Sequence, residues 1–178
     1  MQIPSKARAV IIGGGVIGCS IAYHLGKLGW KDVVLLERKQ LTCGTTWHAA
    51  GLIAQLRATQ NMTRLAKYSQ ELYFGLEAET GVATGFKRNG SITVALTDER
   101  MEELRRSAAM ARAFGVEIDE ITSDDIAGRY PGLATGDVVG GVWLPKDGQA
   151  DPVNITQALA KGARNLSLIH ISEPTRRS

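Results

Sequence analysis

Between Ala9 and Leu52 the chain reads AVIIGGGVIGCSIAYHLGKLGWKDVVLLERKQLTCGTTWHAAGL. Gly13, Gly15 and Gly18 fall in a G-x-G-x-x-G spacing, and Glu37 follows 19 residues after Gly18. The first glycine permits a tight turn, and the second lets a pyrophosphate approach the backbone. The third lets a helix sit close to the preceding strand. Val16 and Ile17 lie in the first turn of that helix, where free N–H groups and the positive dipole end favour an anion. An acid at the position of Glu37, with Arg38 beside it, suits hydrogen bonding to a ribose. A second turn follows, with Gly44, Thr45, Thr46 and His48. Small residues and hydroxyls there suit approach to a phosphate or sugar, and an imidazole is a competent nucleophile. The same types also fit a packing-only βαβ unit, a solvated Glu37 and an ordinary loop histidine.

Elements must place these groups. Residues 9–12 are apolar and β-branched and read as a strand buried on both faces. Residues 15–28 read as a helix with Val16, Ile17, Ile21, Ala22 and Leu25 largely on one side, ended by Gly29. Residues 33–36 form the second strand. Cys19 on the helix behaves as a small apolar residue, and His24 as a packed or half-exposed one.

The run LTCGTTWHAAGL, taken with the glycine turn, resembles the flavin-dependent amine oxidoreductases related to D-amino acid oxidase, and within them the dimethylglycine and sarcosine dehydrogenases. That resemblance implies an α/β fold: a discontinuous Rossmann-like FAD-binding βαβ domain of the glutathione-reductase type, with the start of an α+β substrate domain. It implies FAD held by Gly13, Gly15, Val16, Ile17, Gly18, Glu37, Arg38, Gly44, Thr45, Thr46, His48, Gly51 and Leu52. It further implies covalent attachment of the flavin through His48. Trp47 is expected to pack against the cofactor or the domain interior. A thioether at Cys43 is the chemical alternative, but the family pattern points to His48.

Further along, residues 61–80 show Met62, Leu65, Tyr68, Leu72, Tyr73 and Leu76 at helical spacing, a stripe expected in the core. Residues 86–96 read as extended, with a tight turn at Asn89-Gly90. Thr97 caps a helix whose inner face is Met101, Leu104, Ala108 and Ala111. Residues 116–121 read as a strand, Ser123 caps a short helix, and 138–144 read as a strand with a bulge or close approach at Gly140-Gly141. The segment from Pro145 to Pro152 resembles a (P)xDGxxDP crossing back to the flavin domain, and a helix follows at 153 to about 164. These readings divide the chain into 1–85 (first part of the FAD domain), 86–145 (start of the substrate region), 146–165 (return to the FAD domain) and 166–178. This last stretch, with LSLIHISEPTR, resembles a translated sequencing adapter. It is expected to be non-native and outside the fold.

With 178 residues, 44% hydrophobic and 22% charged, the chain can form a sizeable core. The resemblance nevertheless implies the front piece of something longer, with an incomplete sheet and an open flavin site. The net charge of +3 is not gathered into a basic stripe, which argues against nucleic acid as a partner. No apolar run approaches a membrane span. Two cysteines fit a reducing compartment. Cytoplasm is the default, with the mitochondrial matrix as the alternative.

The expectation is an FAD-dependent dehydrogenase acting on an N-methylated amino acid, dimethylglycine or sarcosine. Tetrahydrofolate would belong to a further C-terminal region. The catalytic base and the electron acceptor are unassigned, no metal is expected, and Tyr23, Arg57 and Arg129 have no spacing that supports a role. The rival readings are a plain NAD-binding dehydrogenase and a catalytically silent regulatory relative.

Overall fold

The computed structural model describes residues 5–166 and 169–172. In chain order the elements are β1 (Ala9–Ile12), α1 (Val16–Lys27), β2 (Val33–Leu36), β3 (Leu52–Ile53), α2 (Gln60–Thr80), β4 (Ser91–Ala95), α3 (Asp98–Ala113), β5 (Asp119–Ile121), α4 (Ser123–Arg129), β6 (Gly140–Leu144), β7 (Gly148–Gln149), α5 (Pro152–Asn165) and β8 (Ile169–Ser172). A single 3-10 turn, Thr46–His48, lies between β2 and β3. The chain divides into two compact units. The first holds the described residues up to Gly51, Glu71–Phe86, and the described residues from Ala150 onward. The second holds Leu52–Gln70 and Lys87–Gln149. Residues 52–70, placed with the flavin domain by the sequence, thus pack with the second unit.

The first unit is an α/β arrangement around a parallel sheet of order β1-β2-β8. Helix α1 buries Gly18, Cys19, Ala22, Tyr23 and Gly26, while Ile17 and Ile21 stay 71% and 46% exposed. Of the expected apolar side, Ala22 is buried and Val16 and Leu25 are half-buried, whereas Ile17 and Ile21 are not covered. Small residues win because α5 comes very close: a Cβ on Gly162 would lie 2.8 Å from the Tyr23 ring. Tyr23 is fully buried, and its hydroxyl donates to Glu79 at 2.7 Å. Burial raises the Cys19 thiol to about 11, so it behaves as an inert apolar group.

Asp151 caps α5 by accepting the N–H groups of Val153 and Asn154 at 2.8 and 3.0 Å, with Pro152 next. The helix ends where the adapter-like stretch begins. Contrary to the expectation that this stretch stands outside the fold, the backbone of Ile169–Ser172 runs parallel to β2 in register Val33↔Ile169. An extended Ile-His-Ile run after a crossover helix meets the physical requirements for a third strand.

The second unit is centred on an antiparallel sheet of order β4-β6-β5. Its core joins Ala95, Val142 and Leu144 to Met101, Leu104, Ala108 and Ala111 of α3. Thr97 caps α3, accepting from the Arg100 N–H at 3.2 Å. Thr122, rather than Ser123, caps α4 in a full capping box with Asp125. Gly141 sits in a regular ladder position because a Cβ there would crowd the Thr93 carbonyl at 2.6 Å. Asn89-Gly90 does not join neighbouring strands, since β4 pairs with β6; Gly90 instead donates to the Asp147 carbonyl at 2.8 Å.

Helix α2 meets the expectation only toward its end, where Leu76 is fully buried and Leu72 and Tyr73 are half-buried. Met62, Leu65 and Tyr68 are 52%, 58% and 53% exposed, whereas Thr63 and Gln70 are buried. The buried polar groups are satisfied. Thr63 donates to the Arg57 carbonyl at 3.2 Å, and Gln70 bonds Gln55 and the Lys146 carbonyl. Asp147 joins the same network, accepting the Gln55 N–H at 2.9 Å and the Ser91 hydroxyl at 2.7 Å. The Asp-Gly pair of the crossing segment is thus a tie between loops of this unit. Among the described residues no helix is long and apolar enough to cross a membrane.

Candidate functional site

The glycine turn and the Gly/Thr turn of the first unit face a common groove of about 500 Å³. Gly13, Gly15, Val16, Ile17, Gly18, Glu37, Gly44, Thr45 and Thr46 line it. Ile11, Ile12, Ile21 and Ala49 line it as well, and the sequence assigns them no part in holding a cofactor. Arg38, His48, Gly51 and Leu52 do not. Arg38 and His48 are exposed, and Leu52 belongs to the second unit, paired with Gln149. Gly51 has φ +74 and approaches the Ala150 carbonyl, so a side chain there would collide with backbone. Its requirement is a close crossing of chains.

The first turn is sterically tight. A Cβ on Gly18 would collide with the Gly13 carbonyl oxygen. Gly14, an unmarked position of the spacing, is equally constrained: a Cβ would strike Leu41 and lie 3.0 Å from Glu37 Cβ. The run of three consecutive glycines is the sequence signal for that constraint. The first four N–H groups of a helix have no intrahelical partner. Here the Val16 N–H donates to Thr46 Oγ1 at 3.0 Å, across 30 residues of sequence. Gly15, the N-cap, has no side chain to do this. Those of Gly15, Ile17 and Gly18 remain for an anion.

Glu37 lines the groove while also holding the turn. Its Oε2 accepts the Gly14 N–H at 2.8 Å and its Oε1 the Lys39 N–H at 2.9 Å. The Gly14 N–H is the main cause holding the carboxyl below its ordinary range. Each carboxylate oxygen has a second acceptor site, so the residue can serve turn and ligand together. Thr42 donates its N–H to the Gly14 carbonyl at 3.0 Å and has φ +74, a costly conformation for a β-branched residue. It too is missed by spacing alone.

His48 ends the 3-10 turn, with its ring centroid 4.0 Å from that of Trp47. Trp47 is 58% exposed, so it does not pack into the domain interior. Cys43 is exposed, its Sγ 4.0 Å from Glu37 Oε1. No group of metal-ligating side chains gathers among the described residues. Exposed backbone N–H groups, glycines that admit no Cβ and a carboxylate bonded to the turn itself fit a dinucleotide's pyrophosphate and ribose.

Residues 8–172 match the family described as FAD dependent oxidoreductase. The chain belongs to that family. FAD is the cofactor the family supports, which displaces the reading of a plain NAD-binding unit. As a family member the chain is 43% identical over 163 residues to human mitochondrial dimethylglycine dehydrogenase, covering 92% of this chain and 19% of that protein. It is 38% identical over 163 residues to the mouse mitochondrial pyruvate dehydrogenase phosphatase regulatory subunit, again covering 92% and 19%. The crystal structure of L-proline dehydrogenase from P. horikoshii superimposes with a TM-score of 0.89 at 30% identity, covering 96% of this chain and 45% of that one. The chain thus spans about a fifth of the length of the curated relatives it matches.

Proposed function

We propose that this chain forms the cofactor-gripping part of an FAD-dependent amine dehydrogenase that oxidises an N-methylated glycine, dimethylglycine or sarcosine. The observation that carries the reading is the groove between the two turns. The Gly15, Ile17 and Gly18 N–H groups meet the pyrophosphate, and Glu37 accepts from the adenosine ribose with its remaining lone pairs. The Gly44-Thr45-Thr46 turn continues toward the flavin end. His48, exposed beside the groove residue Ala49, is the nucleophile for covalent attachment of the ring. Bound FAD supplies a two-electron oxidant for the carbon next to the amine nitrogen. The 43% identity to human dimethylglycine dehydrogenase supports the substrate class.

The test uses the full-length protein that carries this chain. After acid precipitation the yellow colour should stay with the pellet, and His48→Ala should release it to the supernatant. Colour in the supernatant of the unaltered protein would contradict attachment. Dimethylglycine or sarcosine should bleach the flavin band under anaerobic conditions.

A second reading, a catalytically silent regulatory subunit, is favoured by the 38% identity to the mouse phosphatase subunit. Retention of the Trp47-His48 pair argues for the enzyme. Flavin that is bound but bleached by neither amine would favour the silent relative.

A further inference from the structure

The second unit contains a cleft that the dinucleotide groove does not use. One face of its sheet, with Ala95, Val142 and Leu144, packs on α3. On the other face the register places Ile92 opposite Trp143 and Val94 opposite Gly141. A cleft of about 410 Å³ opens there, lined by Ile92, Val94, Asn89, Tyr130, Leu133 and, at the end of α4, Arg129. That volume lies within the range of sites for small molecules, roughly 300–1,000 Å³.

Two features make the cleft more than a dent in the surface. The Trp143 ring fills the space where a Cβ on Gly90 would stand, so ring and strand entrance hold each other. The Arg129 guanidinium lies over that ring, 4.8 Å from its centroid, a cation–π contact that restricts its orientation. Among the described residues Arg129 takes part in no ion pair. Asp125, one turn earlier on the same helix, commits its Oδ2 to the Thr122 N–H and hydroxyl at 3.0 and 2.7 Å. The Asp125 carboxyl is held below its ordinary range chiefly by the Thr122 N–H and hydroxyl and only lastly by the Arg129 charge. An oriented guanidinium that closes no ion pair, beside two β-branched side chains, thus suits an anion with a carbon body.

We propose that this cleft binds a small organic monocarboxylate, its carboxylate on Arg129 and its carbon chain against Ile92 and Val94. Ordering the guanidinium on Trp143 beforehand lowers the cost of binding. The two β-branched walls offer no hydrogen bonds to a second charged group, which selects against dicarboxylates.

The test is fluorescence of Trp143 in a chain carrying Trp30→Phe and Trp47→Phe, titrated with 3-methylbutanoate and separately with its neutral amide. The acid should give a saturable change, and the amide should bind at least tenfold more weakly. Arg129→Gln should weaken the acid at least tenfold with an unchanged melting curve, and Arg129→Lys should lie between. No saturable change, equal binding of acid and amide, or an undiminished response in Arg129→Gln would each overturn the proposal. The acid–amide comparison leaves the cleft unaltered, so it stands even if a variant folds poorly.

Discussion

The two turns bordering the groove are built in opposite ways. Residues 13–18 make a turn of backbone, in which the space for side chains at Gly14 and Gly18 is already filled. Residues 41–48 make a turn of side chains, and those side chains serve the first turn. Leu41 covers Gly14, and Thr46 accepts the Val16 N–H. Glu37 does the same from the end of β2 through the Gly14 N–H. The second turn therefore sets the shape of the first as well as extending the groove. The shape of a glycine motif depends on residues 23 and 30 positions away.

Substitutions can separate the two modes of construction. Gly18→Ala should have the largest effect, because the new Cβ meets the Gly13 carbonyl and the backbone must open. A loss of about 3 kcal/mol is expected in thermal or urea unfolding. An unaltered melting curve would show that the turn is looser than described. Gly14→Ala should cost less, about 1–2 kcal/mol, because its obstacles are side-chain atoms. Adding Leu41→Ala should recover part of that loss. Purely additive costs would separate the turns energetically.

Thr46→Val should cost about 1 kcal/mol through loss of the cap on α1, and Thr46→Ser should cost little. A valine variant as stable as the serine variant would deny the hydroxyl its role.

The smallest effect is a dependence on pH. Glu37 titrates lower in the folded chain than in the unfolded one, chiefly through the Gly14 N–H. Its contribution is present above the unfolded carboxylate range and is lost as pH falls through the folded value. The stability gap between the parent and Glu37→Gln should narrow from neutral pH to about pH 3. A gap independent of pH would place the effect elsewhere.

The contrast between the turns also marks what a sequence can reveal. Gly13, Gly15, Gly18 and Glu37 are legible because their spacing encodes one local unit. Thr46 is legible as a groove residue, yet its bond to Val16 is not, since no local pattern pairs positions 30 apart. Two helices make the same point. The stripe on α3 and the stripe on α2 have the same helical period. Met101, Leu104, Ala108 and Ala111 are buried, while Met62, Leu65 and Tyr68 are not. Periodicity shows that a face exists, and only the packing partner decides whether it is covered. On α2 Leu76 of the stripe is covered, and so are Thr63 and Gln70, acceptable in a core because Arg57, Gln55 and Lys146 satisfy them. On α1 the close approach of α5 selects small residues over the Ile17 and Ile21 side. The adapter-like tail was read from its resemblance, and resemblance carries no information about backbone pairing such as that of β8 with β2.

The central claim is that the groove between these two turns receives FAD. It is tested most directly by titrating FAD into the isotopically labelled chain and following the backbone amides. Saturable shifts should centre on Gly15, Ile17, Gly18, Lys39 and Thr45–Thr46, and should weaken in Gly18→Ala. Saturable shifts centred on the second unit, or none at all in the two turns, would contradict the account.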